Sequence, residues 1–532
     1  MIDLEINNVS LTLSNSWSQL KIDNKELYFR GYFYYQDKLF TSSSLNELIQ
    51  LSFHREFFEK IKGEFALVYH DPEKTIAAVD RKRTIPLFYQ QKNDRLIIKD
   101  QVSQSEVDTE LHDLSVSEFL LTGYAAGNRT LYHGLYQVEA GQFLIFNGKT
   151  LTQETYFRYY HSPMEMNVEE AADVLAKLFH QTFDQMVKRI KDKKVIIPLS
   201  GGYDSRIIAL LLKEYDVKNI TTFTYGVPTS KEAVRSKEIA NRLGLDWSVF
   251  PYTKSDWFQW YHSDEWRNYQ DFGTNLSSIA HIQDWPAVKS LLQKLEAKDH
   301  EYVFMPGHSG DFIAGSHIPY ELMIDRSYTV DEIVQEIMKK HHRLWMTNDH
   351  QVTKAVHTSI AEQLQGLPFE NREEASALFE YWDWKERQGK FIINSLRVYE
   401  FYHQGWEIPL WDDLLVEFFL KVPVDQRFKK YLYDYTLHHM YPDYFDKPNN
   451  PVGKTTSYKN KYGALYPLLK KVYNKKELYS RYHKDPMEWY GITGNYVQYL
   501  NSLSFKVKGS KYHTPYNINS ILVKNYINNL KG

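Results

Sequence analysis

The chain contains no cysteine among its 532 residues. That excludes a disulfide-stapled scaffold, thiolate metal sites, a cysteine nucleophile and persulfide sulfur-transfer chemistry. Long apolar runs are also missing. Nowhere do about eighteen apolar residues follow one another without a charge, so no membrane insertion is expected. The opening MIDLEINNVSLTLSNSW lacks the basic-then-apolar pattern of a secretory signal, and the expectation is a soluble, cytoplasmic protein. Excess charge of either sign is absent. Lysine and arginine number 64 against 67 acids, a net of −3, which leaves no whole-chain attraction to nucleic acid or membrane. None of the 20 histidines falls in H-E-x-x-H or another metal-ligand spacing, and the pairs at 341–342 and 438–439 read as core or surface residues.

What is present is the composition of a soluble globular protein. Apolar residues make up 43 % and charged residues 25 %, which rules out disorder as the main state. At roughly 150 residues per domain, the length predicts three or four ordinary domains or two large ones. The 41 tyrosines, 29 phenylalanines and 12 tryptophans require many half-buried rings whose polar tips reach a partner or water.

Up to about Phe157, short alternating or apolar runs separated by turn residues read as strands: 27–35, 65–71, 75–80, 95–100 and 142–148. Asn147-Gly148 is expected to supply both positive-φ positions of a tight hairpin. Helices are predicted near Ser44–Leu51 and Val116–Leu121, the second opened by Ser115-Val-Ser-Glu. The result is an α+β layered domain, 1–160. After the polar segment 161–167, apolar residues at 175, 178, 179, 183, 186 and 190 form a helical stripe. Then strand KVIIPL (194–199), a loop, helix 205–215, strand 219–226 and helix 230–244 alternate, which implies a parallel sheet with right-handed crossovers. This α/β domain is assigned to 168–450, its later part mostly helical. The extension 451–532 carries fourteen lysines and arginines against three acids, interleaved with aromatic residues, and is read as a solvated basic surface.

The loop Leu199-Ser200-Gly201-Gly202-Tyr203-Asp204-Ser205 lies between a buried strand and a helix, where backbone N–H groups converge on an anion. Its glycines let the backbone approach a ligand, its serines add hydroxyl donors, and Asp204 is a carboxylate for the magnesium that accompanies a polyphosphate. A lone Ser-Gly-Gly is equally a plain turn. The spacing is neither GxxxxGK(S/T) nor GxGxxG, which disfavours γ-phosphoryl transfer and dinucleotide binding. Arg206, next to the loop, fits either a phosphate contact or an ordinary surface position.

The loop resembles the SGGxDS motif of the ATP-pyrophosphatase families, and over nearly its whole length the chain resembles the asparagine synthetases and their relatives. KGEFALVYHD (62–71), AAVDRKRTIPLFY (77–89) and LYHGLYQVEAGQFLIF (131–146) are similar to that family's glutaminase domain. TFTYGVP (222–228) is similar to the strand that receives adenine, which implicates Tyr225 and Gly226. MPGHSGDFIAGS (305–316) is similar to S-G-E-G-x-D-E-x-F-G-G; it keeps Gly307, Asp311 and Gly315 beside Pro306, with His308 and Phe312 in place of two acids. GWEIPLWDD (405–413) resembles E-V-R-V-P-F-L-D, with Glu407 at the arginine position. KPNNPVGKTT (447–456) resembles the segment that carries a phosphate-neutralising base.

The resemblance implies an Ntn-hydrolase-like layered first domain followed by an α/β PP-loop domain, with ATP and magnesium as cofactors. It implies Asp204 and Asp311 as metal ligands, Lys454 or Lys447 against pyrophosphate, and Glu407 as either a base or a surface carboxylate. Family glutaminases use an N-terminal cysteine, where this chain has Ile2, and the residue they place before Gly-x-Phe to hold glutamine is here Lys62. The first domain is therefore expected to be an inactive scaffold, as in the β-lactam synthetases and lasso-peptide cyclases. The expected activity is AMP-forming ligation of a carboxylate to ammonia or a substrate amine, with a precursor peptide or an anionic saccharide among the partners and a homodimer left open. A nucleotide-binding pseudoenzyme is the alternative. Another ATP-pyrophosphatase, such as a tRNA-modifying enzyme, is disfavoured by the missing cysteines and by the first domain.

Overall fold

The computed structural model describes residues 2–6, 8–451 and 476–531. Its first region consists of two sheets packed face to face. One has the order Ile2–Ile6, Val9–Leu13, Arg95–Lys99, Phe88–Lys92, Tyr136–Gln137. The other runs Leu151–Thr155, Gln142–Phe146, Thr75–Val79, Lys62–His70, Lys25–Tyr35, Ser18–Ile22, with Lys38–Phe40 beside Lys25–Tyr35. Because successive strand side chains point to opposite faces, Tyr28, Ala66 and Val68 meet Val9 and Leu11 between the sheets. Leu27, Phe29 and Leu67 pack instead under the helix Arg55–Lys60, through Phe57 and Phe58. A buried strand here needs apolar residues on both faces, which explains its nearly continuous hydrophobicity.

Two local expectations need correction. The 142–155 hairpin forms, with Phe146 opposite Leu151, but only Gly148 has a positive φ, 88°. Asn147 acts through its side chain: its Oδ1 accepts the N–H groups of Lys149 and Thr150 at 3.2 and 2.8 Å, so the turn has four residues. The helix expected to open at Ser115 begins at Asp113, because the His112 ring nitrogen accepts the Ser115 N–H.

The helix Val168–Arg189 leads into the second region. Asn167 Oδ1 caps it, acids occupy its first turn and Lys188-Arg189 its last, each complementing the helix dipole. The sheet that follows is wholly parallel, in the order Asp246–Pro251, Ile220–Gly226, Lys194–Pro198, Tyr302–Phe304, Gly405–Trp406. Val195, Ile196 and Ile197 of the central strand are fully buried, as helices on both faces require. The chain is thus an α+β layered domain followed by an α/β domain with a parallel sheet and a helical later part.

The regions are joined by buried charge. Asp80-Arg81-Lys82-Arg83 is buried throughout. The Lys82 ammonium donates to the Trp411 carbonyl at 3.1 Å and lies 3.6 Å from both Glu64 and Asp413. Arg81 pairs with Glu417 at 2.9 Å, and Trp384 donates to the Arg81 carbonyl at 2.9 Å. The described part of the C-terminal extension is more than a solvated surface. Its strands Ser504–Val507 and Ser510–His513 continue a sheet with Met346–Thr347, and Tyr526 of Ile518–Leu530 meets Phe119 at 5.7 Å between ring centroids. Among the described residues no helix is long and apolar enough to cross a membrane.

Candidate active site

At the carboxyl ends of the parallel strands lies a cavity of about 390 Å³. In open parallel sheets ligands enter at this edge, where loops leave the strands. Ser200, Gly202, Tyr203, Asp204 and Ser205 form one wall. The loop is braced from within: Ser200 N–H donates to Ser205 Oγ at 3.0 Å, and Gly202 N–H donates to Ser200 Oγ at 3.1 Å. Gly202 precedes the helix Tyr203–Glu214 in extended conformation and offers no side-chain cap. The first N–H groups of that helix are thus left for an anion.

The second wall comes from the segment after Tyr302–Phe304. Pro306, Gly307, His308 and Asp311 line it. A Cβ on Gly307 would stand 2.8 Å from Asp204 Cβ and 3.0 Å from Ser205 N, so glycine is what lets the two loops touch. Asp204 is half-buried; Tyr433 donates to its Oδ1 at 2.9 Å, and its carboxyl is pushed up to about 7 by desolvation and then by the charge of Asp311. The two carboxylates therefore share one field. Asp311 is positioned by Ser316, which donates at 3.0 Å, and by His317, whose Nε2 lies 3.9 Å away while its Nδ1 contacts buried Asp383 at 2.5 Å. Among the described residues no three His, Asp or Glu side chains converge as a metal cage. Two carboxylates beside an uncapped helix start fit magnesium, which takes one or two carboxylates and fills its remaining positions with water and phosphate oxygens.

Lys430 is the cationic side chain on the described wall. It sits over the rings of Tyr203 and Tyr433, at 5.2 and 5.6 Å from their centroids. Lys429 and Lys430 both adopt left-handed backbone, φ 55° and 62°, at a cost of about 1–2 kcal/mol each. The Lys430 ammonium pairs with Asp434 at 3.2 Å and lies near enough to Asp204 to favour its negative form. Nothing in the sequence pattern pointed to this residue, since the signal is a backbone conformation.

The remaining wall is neutral or acidic. Tyr225, His281, Gln283, Asp284, Ser395 and Tyr399 line it. Burial holds His308 down at about 3 and His281 at about 4, so both imidazoles are uncharged, and it pushes Asp284 up to about 7. Ser395 Oγ lies 3.0 Å from His308 Nε2, and Gln283 donates to the Tyr225 hydroxyl at 3.1 Å. Ser395 and Tyr399 arrive from a helical stretch some 90 residues beyond His308 in sequence, which no local motif announces.

Several expected site residues stand elsewhere. Leu199 and Gly201 hold the loop's backbone but do not line the cavity. Arg206 faces away: its guanidinium donates to the carbonyls of Tyr444 and Gly201, the latter at 3.0 Å, and lines a separate cavity with Arg235 and Arg242. Gly226, φ 101°, is needed because a Cβ would lie 2.7 Å from the Pro486 carbonyl; it is a docking point for the C-terminal extension. Glu407 lies at the junction of the two regions, in a different cavity of about 630 Å³, and is buried and clamped by Arg189 at 2.7 and 3.3 Å. Its carboxylate is already paired and is neither a surface group nor part of the loop cavity. Lys447 is exposed and away from the wall, and Lys454 lies outside the described residues.

An asparagine synthase family model matches residues 178–481, and a glutamine amidotransferase domain model matches 28–157. No curated protein matches the chain. Among solved structures, the NH3-dependent NAD synthetase of Campylobacter jejuni is 16 % identical, with 28 % of this chain and 61 % of that one covered and a TM-score of 0.19. This chain thus spans 61 % of that relative's length. The glutamine phosphoribosylpyrophosphate amidotransferase of B. subtilis is 13 % identical over 46 % of this chain and 74 % of that one, TM-score 0.19. The glutamine-dependent NAD+ synthetase of Acinetobacter baumannii is 14 % identical over 37 % and 41 %, TM-score 0.17.

Proposed function

Because this chain belongs to the asparagine synthase family, we propose that it is an ATP-dependent carbon–nitrogen ligase that adenylates a substrate carboxylate, releases pyrophosphate and passes the acyl group to ammonia or an amine. The observation that carries this reading is the meeting of the 200–205 loop, Asp204, Asp311 and Lys430 in one cavity. A carboxylate does not react with an amine directly, because oxide is a poor leaving group; as a mixed anhydride with AMP it has a good one. The N–H groups at the start of Tyr203–Glu214 and the hydroxyls of Ser200 and Ser205 would hold the polyphosphate. Lys430 would meet the negative charge that grows on the departing phosphate oxygens, a role in which a preorganised cation acts strongly. Magnesium, when bound by Asp204 and Asp311, supplies further neutralisation of the phosphates. The remaining walls would hold acid and nucleophile in contact, which lowers the barrier by removing their translational freedom, and would keep water from the anhydride.

We further infer that the chain hydrolyses no glutamine of its own. It has no cysteine, the Lys62 ammonium is committed to Glu417 at 2.6 Å, and the Gly63 N–H donates to Asp413 Oδ2 at 2.8 Å. Groups that would face glutamine are thus engaged in holding the two regions together. Nitrogen then comes from ammonia or from an amine on a substrate, as in peptide macrocyclisation or amidation of a saccharide acid.

The test is carboxylate-dependent ATP–pyrophosphate exchange with a panel of amino acid, peptide and uronic acids, together with hydroxylamine trapping of the acyl-adenylate. The expected outcome is exchange that needs magnesium and is abolished in Asp204→Ala and Asp311→Ala. Exchange that survives both substitutions would falsify the reading, and ATP binding without exchange or hydroxamate for any acid would favour a pseudoenzyme.

A further inference from the structure

The cavity wall opposite the 200–205 loop carries a carboxyl that forms no ion pair among the described residues. Asp284 immediately precedes the helix Trp285–Lys294 and is free of a capping role, because Pro286 has no N–H to give and the Ala287 N–H donates to the Tyr252 hydroxyl at 3.1 Å. Its side chain is turned into the cavity instead. Asp284 is 8 % exposed, and the Tyr399 hydroxyl donates to its Oδ2 at 3.3 Å. Burial pushes its carboxyl up to about 7. A buried carboxylate without a cation is costly, and such a group is retained where something completes it.

The surroundings say what would complete it. Tyr225 and Tyr399 line the cavity with Asp284, and Tyr252 packs behind Tyr225. Tyr225 and Tyr252 stack at 5.6 Å between centroids, and Tyr399 stacks on Phe304 at 4.2 Å. Aromatic rings around a carboxylate make a cation-selective pocket, because the electron-rich ring faces and the carboxylate attract the same partner. The two imidazoles on this side are uncharged, and Lys430 stands over Tyr203 and Tyr433, against the phosphate loop. This wall repels an anion and offers an ammonium group the Asp284 carboxyl as a partner.

We propose that Asp284, with Tyr225 and Tyr399 beside it, anchors the primary ammonium group of an amine-bearing substrate and takes one proton from it, so that the freed amine attacks the acyl carbon, AMP leaves and the second proton departs with AMP or to solvent; the nucleophile of the ligation is then a substrate amine and not free ammonia. The proposal rests on the ligase reading for its context. It makes Asp284 a specificity-determining residue, with Tyr399 orienting it. The other group with an amino function is the adenine of ATP, and the measurement separates the two.

The experiment compares binding of n-butylammonium chloride and 1-butanol to the full chain by isothermal titration calorimetry, with and without the non-hydrolysable analogue AMPCPP and magnesium. The alcohol matches the amine in shape and lacks its charge. The unmodified protein should bind butylammonium about tenfold or more tightly than butanol, the difference expected of a hydrogen-bonded charge pair. Asp284→Asn should erase that preference while AMPCPP affinity stays within about twofold. Tyr399→Phe should reduce the preference in part. Equal binding of the two probes to the unmodified protein overturns the proposal without depending on any variant's folding. A tenfold loss of AMPCPP affinity in Asp284→Asn also overturns it, by assigning the carboxyl to adenine. Failure of the ligase reading would appear separately, as no AMPCPP binding by the unmodified protein.

Discussion

The contact between the 200–205 loop and the segment around Gly307 can be tested with one methyl group. Gly307→Ala places a Cβ 2.8 Å from Asp204 Cβ and 3.0 Å from Ser205 N. Both contacted atoms belong to the backbone or the root of a side chain, so no flexible tip can swing away and the loops must separate. Overpacking of this kind costs about 1–3 kcal/mol. The larger consequence is chemical: Asp204 would be displaced relative to Asp311, and a misplacement of roughly 1 Å in a reacting constellation costs on the order of 100-fold in rate. ATP–pyrophosphate exchange should therefore fall by about 10- to 100-fold while far-UV circular dichroism is unchanged. Gly405→Ala is the control, since its added Cβ would meet Val303 Cγ2 and the Tyr302 carbonyl at 3.4 and 3.5 Å, ordinary contact distances. Wild-type exchange in Gly307→Ala would refute the argument that loop apposition builds the site.

Other outcomes follow from single groups. Lys430→Met should lower the rate of pyrophosphate release by about 100-fold, with Lys430→Arg partly restoring it; unchanged release in Lys430→Met would reassign the phosphate-facing cation. Asp413→Ala leaves the Gly63 N–H and the Lys82 ammonium short of a buried partner and should destabilise the chain by about 3–5 kcal/mol in denaturant unfolding. Glu64, pushed up to about 8 by burial, binds its proton more tightly when folded than when unfolded. Its stabilising contribution is therefore full below the unfolded carboxylate range and is lost as pH rises through about 8. Glu64→Gln should gain stability relative to the parent between pH 5 and pH 9, as measured by the denaturation midpoint at each pH; a constant difference would show that Glu64 does not titrate in that range.

How far the chain can be read without its fold differs from element to element. Of the stripe at 175, 178, 179, 183, 186 and 190, Leu175, Phe179, Phe183 and Met186 are buried on Val168–Arg189 and Ile190 is buried at its C-cap, with Leu178 half-buried beside them, because helical periodicity needs only local spacing. The strand–loop–helix around Ser200 was legible for the same reason: buried strand, paired glycines and amphipathic helix are contiguous. Arg206 shows the limit. A cation one residue past an anion-binding loop looks like a ligand contact, but the helix phase turns it toward Tyr444. Glu407 shows another, since a carboxylate between apolar neighbours gives no hint that Arg189, over two hundred residues earlier in the chain, closes on it.

The sequence alone determined the two-part architecture, the phosphate-loop pattern and the exclusion of thiol chemistry, because composition and short-range periodicity are properties of neighbouring residues. Only the tertiary structure decided which distant side chains share the cavity. It brought Asp311 into the field of Asp204, kinked the backbone at Lys430, set Asp284 beside Tyr399, and committed Lys62 and Gly63 to the junction. Those positions depend on loop apposition, backbone handedness and domain docking, which are set by packing between segments hundreds of residues apart.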